Sequence, residues 1–185
     1  KREFYPIWMS VFKKSAMLIY PILLFCCFFS DIMMILLYGT KYETSYIYFC
    51  IISIANFFTI IAYDPLVINI GKVKFYSNVH LISAIILVTL EYAAVKMSLP
   101  AYSIAIISVL CHLGRIFAML CMVARFFNLS IQKLFPTAVL AKIIIPSTII
   151  LSAARLTLTS LEWSPIITFC TGGLIYIIQI GRAHV

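Results

Sequence analysis

Six long apolar runs constrain this chain more than any other feature. They cover residues 15–37, 44–70, 75–95, 102–124, 138–158 and 165–179. A helix of about 20 residues crosses a hydrocarbon core of about 30 Å, and the first five runs reach that length. Inside lipid, backbone polar groups must be satisfied within a helix or a closed barrel. The runs are continuous rather than alternating, which selects helices over a barrel. Hydrophobic residues make up 64% of the chain and charged residues 11%, with a mean hydropathy of +1.09. Soluble domains are about one quarter charged, so this chain has too little polar surface to cover a globule in water. The expected fold class is all-α: a polytopic membrane protein with about six transmembrane helices.

The links between runs set the organisation. Residues 38–43, 71–74 and 96–101 are short connections, and short links make neighbouring helices antiparallel. Lys1, Arg2, Lys13 and Lys14 precede the first run, Lys41 follows it, and Lys72 and Lys74 follow the second. Lys96 then stands alone, and Arg125 and Lys133 lie in the next link. Cations thus concentrate on alternate sides, which places the amino-terminal end on the cytoplasmic face. Residues 1–14 are expected as an interfacial cytoplasmic lead-in and 15–127 as four transmembrane helices. Residues 128–137 are expected as a cytoplasmic link and 138–179 as two further spans. Lys142 and Arg155 interrupt the fifth run. Pro21, Pro65 and Pro146 fall within runs, where lipid-embedded helices accept them as bends.

The tail Ile180-Gly-Arg-Ala-His-Val185 back-translates as ATC-GGA-AGA-GCA-CAC-GTC, similar to a short-read sequencing adapter. It is expected to be adapter read-through, and the chain an internal piece of a longer protein.

The net charge of +8 sits at the ends of apolar runs, as membrane flanks do. It forms no nucleic-acid patch, so the expected partners begin with membrane lipids. Cys26, Cys27, Cys50, Cys111, Cys121 and Cys170 all lie within apolar runs without ligand-like spacing. They are expected as free thiols, with no metal and no cofactor. No phosphate-binding glycine loop or nucleophile elbow is present, so no catalytic residue is assigned.

Ionisable groups at membrane depth are costly and usually functional. The candidates are Asp64, His80, Glu91, His112, Arg115 and Arg155. Asp64 and His80 flank the Gly71-Lys72 turn at nearly equal distances, each about 9–12 Å above it on antiparallel helices. They form either a gating pair that responds to protons or cations, or a packed polar contact. His112 and Arg115 are three residues apart and share a helix face. Arg115 either faces a hydrophilic cavity as a cation for pyrophosphate or acidic sugar, or pairs with Asp64. Glu91 lies near the end of its helix, and Arg155 is expected to reach outward along its own stem.

The order of these features resembles the oligosaccharide flippases of bacterial polysaccharide biosynthesis, including the O-antigen flippases. They belong to the MATE-like superfamily of multidrug, oligosaccharidyl-lipid and polysaccharide exporters. The match begins with the basic lead-in and the Pro21-bearing span. It continues through Leu37-Tyr-Gly39-Thr-Lys-Tyr42, similar to an outer-loop pattern of Gly, two variable residues and Tyr. Ile70-Gly71-Lys72-Val-Lys74 is similar to the family's inner Gly-Lys-x-Lys turn. In Ser98-Leu-Pro-Ala101, Ser98 and Ala101 stand where the family commonly has glycines. The resemblance covers residues 13–136 and corresponds to part of the carboxy-terminal lobe.

The resemblance implies a two-lobed, non-enzymatic transporter in the bacterial cytoplasmic (inner) membrane. It would move a lipid-linked oligosaccharide by alternating access, alongside other polysaccharide-assembly membrane proteins. It carries over no functional residue. The cavity candidates Arg115 and His112 and the pair Asp64 and His80 rest on the reading of the residues alone. An integral-membrane glycan polymerase or ligase, or a permease subunit of another transporter, are the competing classes.

Overall fold

The computed structural model describes residues 4–59, 63–160 and 167–174. All regular elements among them are helical. In order they are α1 (Phe4–Phe28), α2 (Ser30–Tyr38), a 3-10 segment (Thr40–Ser45), α3 (Tyr46–Asn56), α4 (Tyr63–Asn69), α5 (Val73–Lys96), α6 (Ala101–Phe127), the single turn α7 (Ile131–Leu134) and α8 (Thr137–Ser160). Residues 167–174 are also helical. They are the described part of the run expected over 165–179; the 180–185 tail lies outside the described residues.

Four helices are long and apolar enough to cross a membrane: Tyr5–Phe28, Val73–Lys96, Ala101–Phe127 and Thr137–Thr157. The second of these carries the argument for lipid. Ala94 is its one buried residue, and Leu81, Ile85, Val88, Tyr92 and Val95 are each more than half exposed. A helix that is apolar all round and uncovered by protein needs lipid as its solvent. The chain is therefore a helical membrane protein.

Two stretches, 44–70 and 4–37, fold differently from expectation, the second breaking at Phe29 within the run expected over 15–37. Residues 44–70 form two helices rather than one. The first, α3, closes through tight bonds from Phe57, Phe58 and Thr59 N–H to carbonyls three residues back. The second, α4, restarts with Pro65 in its first turn, where a missing N–H costs nothing. At the amino terminus, the expected lead-in is helical from Phe4 and continuous with the first span. Pro6 sits in the opening turn, and no glycine interrupts the helix before the break at Phe29.

The chain forms two compact units. The first comprises Lys1–Met9 and Ile54–Pro136, the second Ser10–Ser53 and Thr137–Val185. In the first, Trp8, Tyr63, Val67, Met119, Val123 and Leu134 are buried. Trp8 Nε1–H donates to the Leu134 carbonyl at 2.9 Å, and its ring lies 5.7 Å from that of Tyr63. This joins the start of α1 to α4 and α7. In the second, Phe12, Tyr20, Phe29 and Leu151 are fully buried.

Three helices of the first unit end in the same way. Lys72, Leu99 and Leu129 N–H each donate to a carbonyl five residues back, at 3.1, 3.0 and 2.9 Å. Gly71, Ser98 and Asn128, one residue earlier, hold positive φ of 77°, 52° and 56°. This is the Schellman stop, whose pivot is left-handed and favours glycine, then asparagine. Serine is the misfit. Replacing Ser98 by Gly is expected to stabilise the protein by about 0.5–1 kcal/mol, because the left-handed pivot penalises any Cβ. Asn128→Gly should gain less. Thermal unfolding in detergent checks this ranking; no gain at Ser98 would mean that its backbone is not left-handed.

Candidate functional site

The four candidate residues converge within the first unit. Asp64 lies in the first turn of α4, His80 on α5, and His112 and Arg115 on α6. These three helices pack against one another. His80 Nε2 stands 3.9 Å from the Asp64 carboxylate, beyond hydrogen-bonding distance but close enough for charge attraction. The pair is partly open, with Asp64 about half exposed and His80 about a third. Tyr76, one turn back on α5, places its ring 4.2 Å from the imidazole. Two polar atoms here are buried without a hydrogen-bond partner among the described residues: His80 Nε2 and the hydroxyl of Tyr63, next to Asp64.

Arg115 Nη2 donates to His112 Nδ1. A guanidinium has no acceptor, so His112 accepts at Nδ1 and is neutral, with its proton on Nε2. Of the two readings of Arg115, pairing with Asp64 is not the one seen: among the described residues Asp64's ion-pair partner is His80. His112 nonetheless lies within electrostatic range of Arg115, Asp64 and His80 together. The four side chains form two pairs, Asp64 with His80 and Arg115 with His112, in one electrostatic network.

An open groove of about 430 Å³ runs beside this network along α5 and α6. Val79, Ile82 and Ile86 form one wall; Leu110, Gly114 and Arg115 form the other. With Ser83 these α5 residues recur at i, i+3, i+4 and i+7, which makes that wall a stripe on one helix face. Gly114 widens the trough, since a Cβ added there would meet nothing within 4 Å. Among the described lining residues Arg115 is the one that carries a charge, on a mostly apolar surface that also holds Ser83 and Cys111. It stands about 21 Å along α6 from Ala101 and about 18 Å from Phe127, near mid-span.

The second unit contains a polar centre that the sequence reading missed. Arg155 on α8 forms an ion pair with Asp31 on α2, and its guanidinium lies 5.4 Å from the centre of the Phe29 ring. Arg155 therefore turns to a carboxylate instead of reaching outward. The available signal was Asp31 itself, the one acidic residue in the run 15–37. Beside it, Ser30 Oγ donates to the Cys27 carbonyl at 2.9 Å and approaches Cys50 Sγ at 3.2 Å. Such back-bonding by serine to the turn before it loosens a helix where α1 gives way to α2. Glu91 is half-buried on α5. Among the described residues, no three His, Cys, Asp or Glu side chains gather as a metal site. No family model, curated protein or solved structure matches this chain.

Proposed function

We propose that this chain is part of a transporter that moves a lipid-linked oligosaccharide, a polysaccharide precursor, across the bacterial cytoplasmic membrane. In this reading it contributes helices to one lobe of a two-lobed, MATE-like protein working by alternating access. It performs no chemistry on its cargo.

One observation supports the reading above the others: a guanidinium on an open, mostly apolar groove near the middle of a helix long and apolar enough to cross a membrane. Placing a cation there is costly and calls for a compensating role. Bulk phospholipid phosphates remain at the two interfaces, about 15 Å from the bilayer centre. An anionic headgroup passes mid-depth only while it is being moved. Arginine suits such a group because its planar fork grips phosphate oxygens in pairs. The hydrogen bond to His112 fixes the fork's orientation before the cargo arrives.

Arg115→Ala in the intact protein is expected to lower export at least about tenfold, the loss of one charge-assisted contact. Arg115→Lys should recover part of it, keeping the charge but losing the fork. Export is measured as glycan reaching the outer face of cells that depend on this protein. Unchanged export by Arg115→Ala at normal protein level would remove the support for this reading.

A further inference from the structure

We propose that Cys27 and Cys50 are a redox-active dithiol, which an uncharged two-electron acceptor of the quinone or azo class closes into a disulfide that staples the end of α1 to α3. The proposal is independent of the transport reading above, and the site lies wholly within the second unit.

The two thiols converge from positions 23 residues apart. The Cys50 thiol reaches the Cys27 carbonyl at 3.7 Å and the Ser30 hydroxyl at 3.2 Å. The Cys27 thiol in turn shares hydrogen bonds with the Cys50 thiol and the Ser53 hydroxyl. Ser30 and Ser53 are both buried, so two thiols and two hydroxyls form one polar cluster in an apolar setting. An S–S bond is about 2.05 Å long, and thiols already in contact close that gap by rotating about their Cα–Cβ bonds. Cys26 is a poorer partner for Cys27. Adjacent Cα atoms stand about 3.8 Å apart, whereas disulfides ordinarily need about 4.4–6.8 Å. Cys111 and Cys121 share α6 and stand about 15 Å apart along it.

Oxidation breaks two S–H bonds and forms one S–S bond. Two electrons and two protons pass to the acceptor: a quinone leaves as its quinol, an azo compound as its hydrazine. Both thiols are half-buried, and Cys27 lies on a helix long and apolar enough to cross a membrane. An acceptor that dissolves in lipid reaches such thiols, and a charged one pays to leave water. The bond closes a loop over residues 27–50 that contains the break at Phe29 and the Asp31 end of the ion pair. It holds the loosened junction of α1 and α2 in one arrangement and removes conformations from the unfolded chain.

The full chain is placed in phospholipid vesicles and treated with diamide, an uncharged azo oxidant, or with its doubly cationic piperazide analogue, which carries the same azo group. Alkylation in denaturant counts the remaining thiols, and peptide mapping of the monomer locates the bond. Diamide is expected to remove two of the six thiols and to join Cys27 to Cys50. It should act at least about tenfold faster than the charged analogue. Oxidation should raise the unfolding temperature by at least about 5 °C, and dithiothreitol should reverse the rise. Cys50→Ser keeps the size and hydrogen bonding of the side chain; it should lose no thiols to diamide and show no thermal shift. Cys26→Ser should behave as the wild-type chain does. A bond mapped to Cys26 and Cys27, or thiol loss in Cys50→Ser equal to that of the wild type, would overturn the pairing. A Cys27–Cys50 bond that leaves the unfolding temperature unchanged would sink the staple, and equal rates for the two oxidants would rule out a lipid-soluble acceptor.

Discussion

Asp31→Ala is expected to destabilise the second unit more than Arg155→Met does, although each removes half of the same ion pair. The two partners differ in how they tolerate being left alone. A stranded carboxylic acid in an apolar setting neutralises itself by taking up a proton. A stranded guanidinium cannot shed its charge. Arg155 carries that burden on α8, within a helix long and apolar enough to cross a membrane. Breaking a fully buried pair costs about 3–5 kcal/mol. Here the side chains keep 24% and 33% exposure, so the expected loss for Asp31→Ala is about 2–3 kcal/mol. Arg155→Met should lose about half of that.

The apolar double variant Asp31→Leu/Arg155→Met should recover most of the stability, since neither charge is then left alone. Thermal unfolding in detergent measures all three. Equal losses for the two single variants, with no recovery in the double variant, would show that the pair contributes packing alone.

Legibility in the sequence followed the range of the interaction. The spans expected over 75–95 and 102–124 appear as Val73–Lys96 and Ala101–Phe127. Their limits are set by residues within a few positions: Gly71 and Pro100 before them, Ser98 and Asn128 after them. The break in 44–70 also had local markers, Asn56 and Thr59 followed by Asp64 and Pro65, but continuous hydrophobicity outweighed them. Polarity at Asp64, His80, His112 and Arg115 was visible as charge in apolar runs. The link between His112 and Arg115 was visible as a three-residue spacing. The Asp31–Arg155 pair joins residues 124 positions apart, and no periodicity connects positions so distant. The pair joins a side chain of α2 to one of α8, so the composition of either helix alone cannot reveal it.

The same long-range packing makes residue 172 a site where one methyl group should matter. A Cβ on Gly172 would stand 2.8 Å from Phe29 Cζ, inside van der Waals contact. Phe29 is fully buried at the junction of α1 and α2. Its ring has Phe25 at 4.9 Å and the Arg155 guanidinium at 5.4 Å, so it has little room to retreat. In lipid, helix association depends on close packing, because lipid tails are as apolar as the side chains they replace. Gly172→Ala is therefore expected to cost about 1–3 kcal/mol through overpacking. Phe29→Leu removes the atom that clashes and should itself cost about 1–2 kcal/mol in lost contacts. Combined, the two changes should cost less than their sum, by at least about 1 kcal/mol, because the smaller side chain makes room for the new methyl. Unfolding of the four proteins in one detergent gives the coupling directly. Strict additivity would mean that Phe29 and Gly172 do not touch, and that the residue 167–174 helix packs elsewhere.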